Sequence, residues 1–173
     1  MSLVVSDSGP IHYLVLCGAI NVIPPLYGRL VIPSTVTEEL THPQAPSAVR
    51  TWIKALPPWA AVQTAREIDS AAQLGLGERE AIALARDLKA TQLLMDDRAA
   101  RRIAVERGVL ITGTVGVLEQ AAERNLLHLP EALQKLLRTN FRVDAEVIRE
   151  ALERDAARQQ RPARHPKERG LGR

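Results

Sequence analysis

Aromatic residues make up only 3% of this 173-residue chain. A protein that stacked successive bases on a surface of Phe, Tyr and Trp would need more, so any nucleic-acid binding is expected to rest on backbone electrostatics. The one cysteine, Cys17, sits in an apolar run. An internal disulfide is therefore excluded, and the ordinary reading is a small buried side chain in a reducing cytosol. No uninterrupted apolar run approaches the ~20 residues of a membrane span, and the sequence opens on a short apolar pattern without a basic leader. A cytoplasmic protein is expected. His12, His42, His128 and His165 show neither metal-ligand nor triad spacing, and there is no Cys-His cluster for zinc. Gly75-Leu76-Gly77 lacks the further glycines, the lysine and the preceding strand of a dinucleotide or phosphate-loop fingerprint. There is no internal repeat.

The composition that remains, 46% hydrophobic and 25% charged, is that of a soluble globular domain. The length suits one well-buried domain with an appendage. The net charge of +3 conceals an asymmetry. Residues 156–173 carry Arg158, Arg161, Arg164, Lys167, Arg169 and Arg173 against Glu168, a net of +5, which leaves −2 for residues 1–155. The basic balance thus belongs to the tail and says nothing about the fold.

Leu3-Val4-Val5, Leu30-Val31-Ile32, Gln92-Leu93-Leu94-Met95 and Val109-Leu110-Ile111 read as short buried strands, and Ala60-Ala61-Val62-Gln63 as a weaker one. Helices are expected from Pro10 to about Cys17, Ser34 to Leu40, in a run ending at Leu74, after Gly77, and over Arg98–Arg107, Val115–Arg124 and Pro130–Arg138. Pro24 and Pro25 interrupt a further helical stretch. Residues 42–58 suggest a loop and a short helix, with the two tryptophans as packing groups. The helix after Gly77 has Ala81, Ile82, Leu84, Ala85 and Leu88 as its apolar face. Strands alternating with helices predict an α/β fold with a mostly parallel sheet covered on both faces. Val143 to Ala157 reads as a charged amphipathic helix striped by Val147, Ile148 and Leu152, and the residues beyond it as a flexible basic tail.

In such a sheet functional groups gather at the carboxyl ends of the strands. Asp7, just past the first strand, serves either as a helix cap or as a site residue. Thr35 and Glu38 have capping-box spacing, which gives Glu38 a structural task and leaves Glu39 as the better ligand candidate. Glu78 and Glu80 start a helix about 200° apart, so only one faces a site, and Glu80 has surface arginines as alternative partners. Of Asp96 and Asp97 one is expected to cap the following helix and free the other for chemistry. Arg98, Arg101 and Arg102 meet phosphates or solvate a helix face, the second being the ordinary reading. Thr112-Gly113-Thr114 opens a helix whose N–H groups suit an anion or a cap. Separate carboxylates without imidazole or thiolate suit Mg²⁺ or Mn²⁺, and such a metal suits phosphodiester hydrolysis. Without metal, crowded like charges raise one another's pKa and destabilise the site locally.

Five stretches resemble PIN-domain ribonucleases, especially the branch close to VapC-type toxins of toxin–antitoxin systems. They are Val4-Val5-Ser6-Asp7-Ser8-Gly9-Pro10-Ile11, the run from Leu30 to Leu40, the run from Leu76 to Ala85, Leu93-Leu94-Met95-Asp96-Asp97-Arg98-Ala99-Ala100-Arg101, and the run from Ile111 to Leu118. Together they span roughly residues 3–140 in the family's order. The resemblance implies a PIN-like three-layer α/β/α sandwich and makes Asp7, Glu39, Glu78 and one of Asp96 or Asp97 the metal-binding, catalytic acids. Ser8 and Thr112 would support them, and Arg98 is a candidate phosphate contact. It further implies Mg²⁺ or Mn²⁺, an RNA substrate, homodimers, and an antitoxin protein where one exists. Glu78 stands where an Asp is common, and the helix and tail after Val143 lie outside the familiar pattern. The expected organisation is a nuclease domain over 1–140, a charged helix over 141–157 and a basic tail over 158–173. Alternatives are a catalytically silent RNA-binding or protein-interaction module, and a small-molecule phosphohydrolase. A phosphoreceiver domain would need an early acidic pair and a later lysine after a strand, and the chain has neither.

Overall fold

Apolar β-branched runs at Leu3–Ser6 (β1) and Arg29–Pro33 (β2) form the middle of a five-stranded sheet in the computed structural model, which describes residues 2–68, 70 and 73–160. Strands β3 (Ala60–Gln63), β4 (Gln92–Leu94) and β5 (Ile111–Thr112) complete it in the order β3-β2-β1-β4-β5, with every pairing parallel. Val5 lies opposite Val31 on one side and Leu93 on the other. Because side chains alternate across a strand, Val4, Leu30, Ile32 and Leu94 enter one core, and Val5, Val31, Leu93 and Met95 enter the other. Burial on both faces explains why these strands read as continuous apolar runs.

On the first face lie α1 (Ser8–Leu16), α2 (Ile23–Tyr27), α3 (Ser34–Thr41), α4 (Ser47–Lys54), α7 (Thr114–Glu123) and α8 (Leu129–Leu137). On the second lie α5 (Leu76–Asp87) and α6 (Arg98–Glu106). The result is the expected three-layer α/β/α sandwich. Each fully buried Val, Leu or Ile in these cores contributes about 1.5–3 kcal/mol relative to exposure. Pro24 and Pro25 fall in the first turn of α2, where their missing N–H groups cost no hydrogen bond. Trp52 and Trp59 pack against the first core with ring centroids 6.0 Å apart.

Three local expectations are corrected. The residues described between 64 and 74 form no helix. Ala65 donates its N–H to Glu80 and Arg66 donates to Asp87, so this backbone is engaged by α5 rather than by its own turns. The strand expected over Val109–Ile111 is two residues long and shifted to Ile111–Thr112, leaving Leu110 70% exposed at the sheet edge. The last helix, α9 (Ala145–Gln159), buries Ala151 and packs Ile148 and Leu152 on the core, whereas Val147 is exposed.

Helix α9 packs against α7 and α8. Arg154 pairs with Glu119 at 2.9 Å and Arg158 with Glu123 at 2.6 Å, so a step of four residues along α9 matches a step of four along α7 and the two run parallel. Residues 161–173, which hold most of the basic tail, lie outside the described residues. Among the described residues no single helix is long and apolar enough to cross a membrane.

Candidate metal and nucleic-acid site

Strand order reverses direction at β1, and the crevice above such a switch point is where parallel sheets bind ligands. Asp7 leaves β1 there. Its backbone N–H is tied to Leu94 O at 3.0 Å and its carboxylate makes no cap bond to α1. At 8% exposure the carboxyl is pushed from its ordinary 3.8 up to about 7. Burial is the main cause, the Ser8 backbone N–H opposes it, and the charges of Glu39, Glu78 and Asp96 add to it.

Those three acids arrive from separate elements. Glu39 is exposed on the last turn of α3, and Gly77 in the first turn of α5 faces it so closely that a Cβ there would stand 2.5 Å from Glu39 Oε1. This contact explains why α5 begins with a glycine inside its first turn. Glu78 accepts the Gly75 N–H at 2.9 Å, fulfilling half of a capping box, and its pKa is raised by burial first and by Asp97 and Glu39 as well. Asp96 follows β4 and is gripped by Thr114, whose N–H donates to Oδ1 at 2.7 Å and whose hydroxyl donates to Oδ2 at 2.6 Å. Burial raises the Asp96 pKa, while Thr114 and the nearby Arg101 pull it back. A Cβ on Gly9 would lie 3.4 Å from Asp96 Oδ2, and one on Gly113 would lie 3.0 Å from Asp96 Oδ1 and 3.3 Å from Arg101 Nη1. Glycine therefore stands at three places where the backbone closes on a site carboxylate.

The structure separates the aspartate pair. Asp97 is the N-cap of α6 and accepts the Ala100 N–H at 2.9 Å, leaving Asp96 to face Asp7. It also separates the glutamates of α5. Glu80 is fully buried away from the surface arginines that were its alternative partners, and it accepts from Ser34 Oγ, Thr35 N, Thr35 Oγ1 and Ala65 N. Burial opposes its charge, but the bonds from Thr35, Ala65 and Ser34 outweigh burial and hold its pKa below the ordinary value. Helix α3 begins at Ser34 behind Pro33, which has no side-chain donor or acceptor to offer, so Glu80 caps it from α5 and the Thr35–Glu38 box does not form. Thr112 donates to Gln92 at 2.7 Å and does not reach the acids, so Thr114 is the threonine at the site. Arg98 is exposed and bridges Asp144 at 3.4 Å, and Arg101 is the cation beside Asp96. Thr114 and Arg101 were both visible in the sequence runs, but nothing in their spacing distinguished them from their neighbours.

Two open clefts flank the acids. One of about 940 Å³ reaches Asp96 and is bordered by Arg98, Arg101, Phe141, Arg142 and Arg154. The other, about 470 Å³, reaches Ser8, Gly9 and Glu39 and is bordered by His12, Tyr13, His42 and Gln44. Among the described residues no three His, Cys, Asp or Glu side chains stand close enough together to hold a metal ion as they are placed. The donor set nevertheless fits a hard divalent cation: it is all oxygen, and the mutual repulsion registered at Asp7 is the kind that such a cation relieves.

A parallel α/β/α sandwich with acids gathered at the carboxyl ends of its strands places them where such sheets bind ligands. The profile of the PIN-domain family DUF3368 matches residues 3–156, and the chain belongs to that family; PIN domains are commonly nucleases. The match includes most of α9. No curated protein matches the chain. Among solved structures it is similar to a PilT N-terminus domain protein, SSO1118, from the hyperthermophilic archaeon Sulfolobus solfataricus P2. The two are 14% identical, with a TM-score of 0.46 over 82% of this chain and 98% of that one.

Proposed function

We propose that the chain is a metal-dependent endoribonuclease of the branch close to VapC-type toxins, in which Asp7, Glu39, Glu78 and Asp96 hold Mg²⁺ or Mn²⁺ and Asp97 contributes charge while capping α6. The observation that carries this reading is Asp7: a carboxyl driven to about 7 by burial and by three other acids is poised to give up its proton to solvent when a cation binds in its place. When bound, the metal would neutralise the scissile phosphate, lower the pKa of a water and stabilise the leaving oxygen. The protein's own contribution is positional. Thr114 fixes both oxygens of Asp96, which removes the side-chain freedom that would blur the site. Gly9, Gly77 and Gly113 let backbone approach Asp96 and Glu39 where a Cβ would crowd their carboxylates. Arg101, beside Asp96, offers a guanidinium group to a backbone phosphate, whereas Arg98 and Arg154 of the larger cleft are paired with Asp144 and Glu119. On this reading the partners are RNA, a second copy of the chain and, where one exists, an antitoxin, all in the cytoplasm. The tail cations would raise local RNA affinity.

The test is incubation of wild type and Asp7→Asn with labelled single-stranded RNA, in Mn²⁺ and in EDTA. Cleavage is expected from the wild type alone and only with metal. Equal cleavage by both proteins, or RNA retained without turnover, would overturn the reading, the second outcome in favour of a silent binding module.

A further inference from the structure

We propose that the smaller cleft, bordered by His12, Tyr13, His42 and Gln44 beside Glu39, is a subsite for the unpaired base of the nucleotide adjoining the cleaved phosphate. The inference rests on the ribonuclease reading above.

Helix α1 places Ser8 and Gly9 at its start and His12 and Tyr13 one turn later on the same side, about 5.4 Å further along its axis. The imidazole and phenol rings therefore stand directly behind the carboxylate edge. Tyr13 is braced edge to face on both sides, with ring centroids 4.7 Å from His12 and 4.8 Å from Phe141. Phe141 borders the larger cleft, so this aromatic pair is the partition between the two. Across the smaller cleft, the Gln44 N–H donates to His42 Nδ1 at 3.2 Å, which leaves the ring hydrogen on Nε2 as an outward donor. The Gln44 amide adds a donor and an acceptor. Burial keeps His12 toward its neutral form.

The two clefts differ in the side chains they present. The larger one, beside Asp96, interleaves four arginines with Asp96, Glu119, Glu123 and Asp144; Arg98 and Arg154 pair with Asp144 and Glu119, and Arg101, beside Asp96, is the guanidinium best placed to meet a phosphate. The smaller one carries imidazole, phenol and amide, the groups that stack on a base and read its edge. Its volume of about 470 Å³ falls within the ~300–1,000 Å³ of small-ligand sites. A single strand crossing the acids would thus lay a phosphate near Arg101 and one base in the smaller cleft. The low aromatic content is no obstacle, because one subsite needs only one or two rings.

Binding in EDTA tests this without any cleavage. The probes are a fluorescent single-stranded RNA ten-mer and a ribose-phosphate ten-mer lacking bases. Wild type should prefer the base-bearing strand by about tenfold or more. His12→Ala and His42→Ala should each lose most of that preference while holding the abasic strand as before. His42 is exposed, so its replacement leaves the fold intact. Equal affinity of wild type for both strands, or the preference surviving in both variants, would overturn the subsite. A preserved preference in a wild type that fails to cleave with Mn²⁺ would support the subsite and overturn the ribonuclease reading instead.

Discussion

Asp7→Asn should stabilise the metal-free protein, and by an amount that grows with pH. In the unfolded chain Asp7 ionises near its ordinary 3.8, whereas in the fold it does so at about 7. Between those values the native state keeps a proton that the unfolded state has released, so stability is lost as pH rises through the window. At 1.36 kcal/mol per pH unit, the full window amounts to about 4 kcal/mol as an upper bound. From pH 5 to pH 8 the share lost is about 2.6 kcal/mol. Asparagine keeps the size and the acceptor but carries no charge, so the stability gap between variant and wild type should widen by that amount from pH 5 to pH 8. Urea denaturation in EDTA, followed by circular dichroism at each pH unit, measures it. Adding Mn²⁺ should stabilise the wild type more than the variant, because the cation binds only the folded acids. A gap that stays flat across pH in EDTA would refute the argument that Asp7 is buried among like charges.

Gly77→Ala puts a methyl group 2.5 Å from Glu39 Oε1 and 3.2 Å from its Cδ, so the carboxylate must move. Since alanine favours a helix by up to about 1 kcal/mol over glycine, RNA cleavage should fall at least about tenfold while the melting temperature holds or rises; undiminished kcat/KM would show that Glu39 is not needed where it stands. Glu80→Gln should cost about 3 kcal/mol of folding stability, because a buried charge accepting from three residues is replaced by an amide. Its pKa is depressed in the fold, so its contribution is present above about 4.5 and is lost as pH falls through the lower folded value. The cost measured by urea denaturation should therefore shrink in acid, and a cost that is constant down to pH 3 would contradict it.

Much of the sheet was legible because a strand buried on both faces has no polar alternation to obscure it, as at Leu30-Val31-Ile32 and Leu93-Leu94-Met95. The segment near Leu74 misled because its apolar residues are spaced as in a helix while its donors are taken by Glu80 and Asp87, acids on α5. The acids of the site could be read from their position after strands, but not their division of labour. Asp96 and Asp97 differ by one residue, and only the partner each meets, Thr114 or the Ala100 N–H, tells them apart. Glu80 looked like a surface residue because its hydroxyl and amide donors come from 34–35 and 65, far off in sequence. Thr112 and Thr114 likewise differ only in the direction in which β5 hands the chain to α7.

The shared direction of α7 and α9 has a consequence for the basic end of the chain. Helix α7 starts at the acids, where Thr114 grips Asp96, so its parallel neighbour α9 travels away from them. Fifteen residues at 1.5 Å each carry the helix about 22 Å from Ala145 to Gln159. Its last turn carries Arg158, held by Glu123 and Asp155. On the ribonuclease reading, the cations of the sequence beyond the helix would act as a mooring line, holding a long polyanion near the protein through effective concentration. RNA captured in this way would gain from length more than from sequence, and short oligonucleotides that cannot span the distance would gain least.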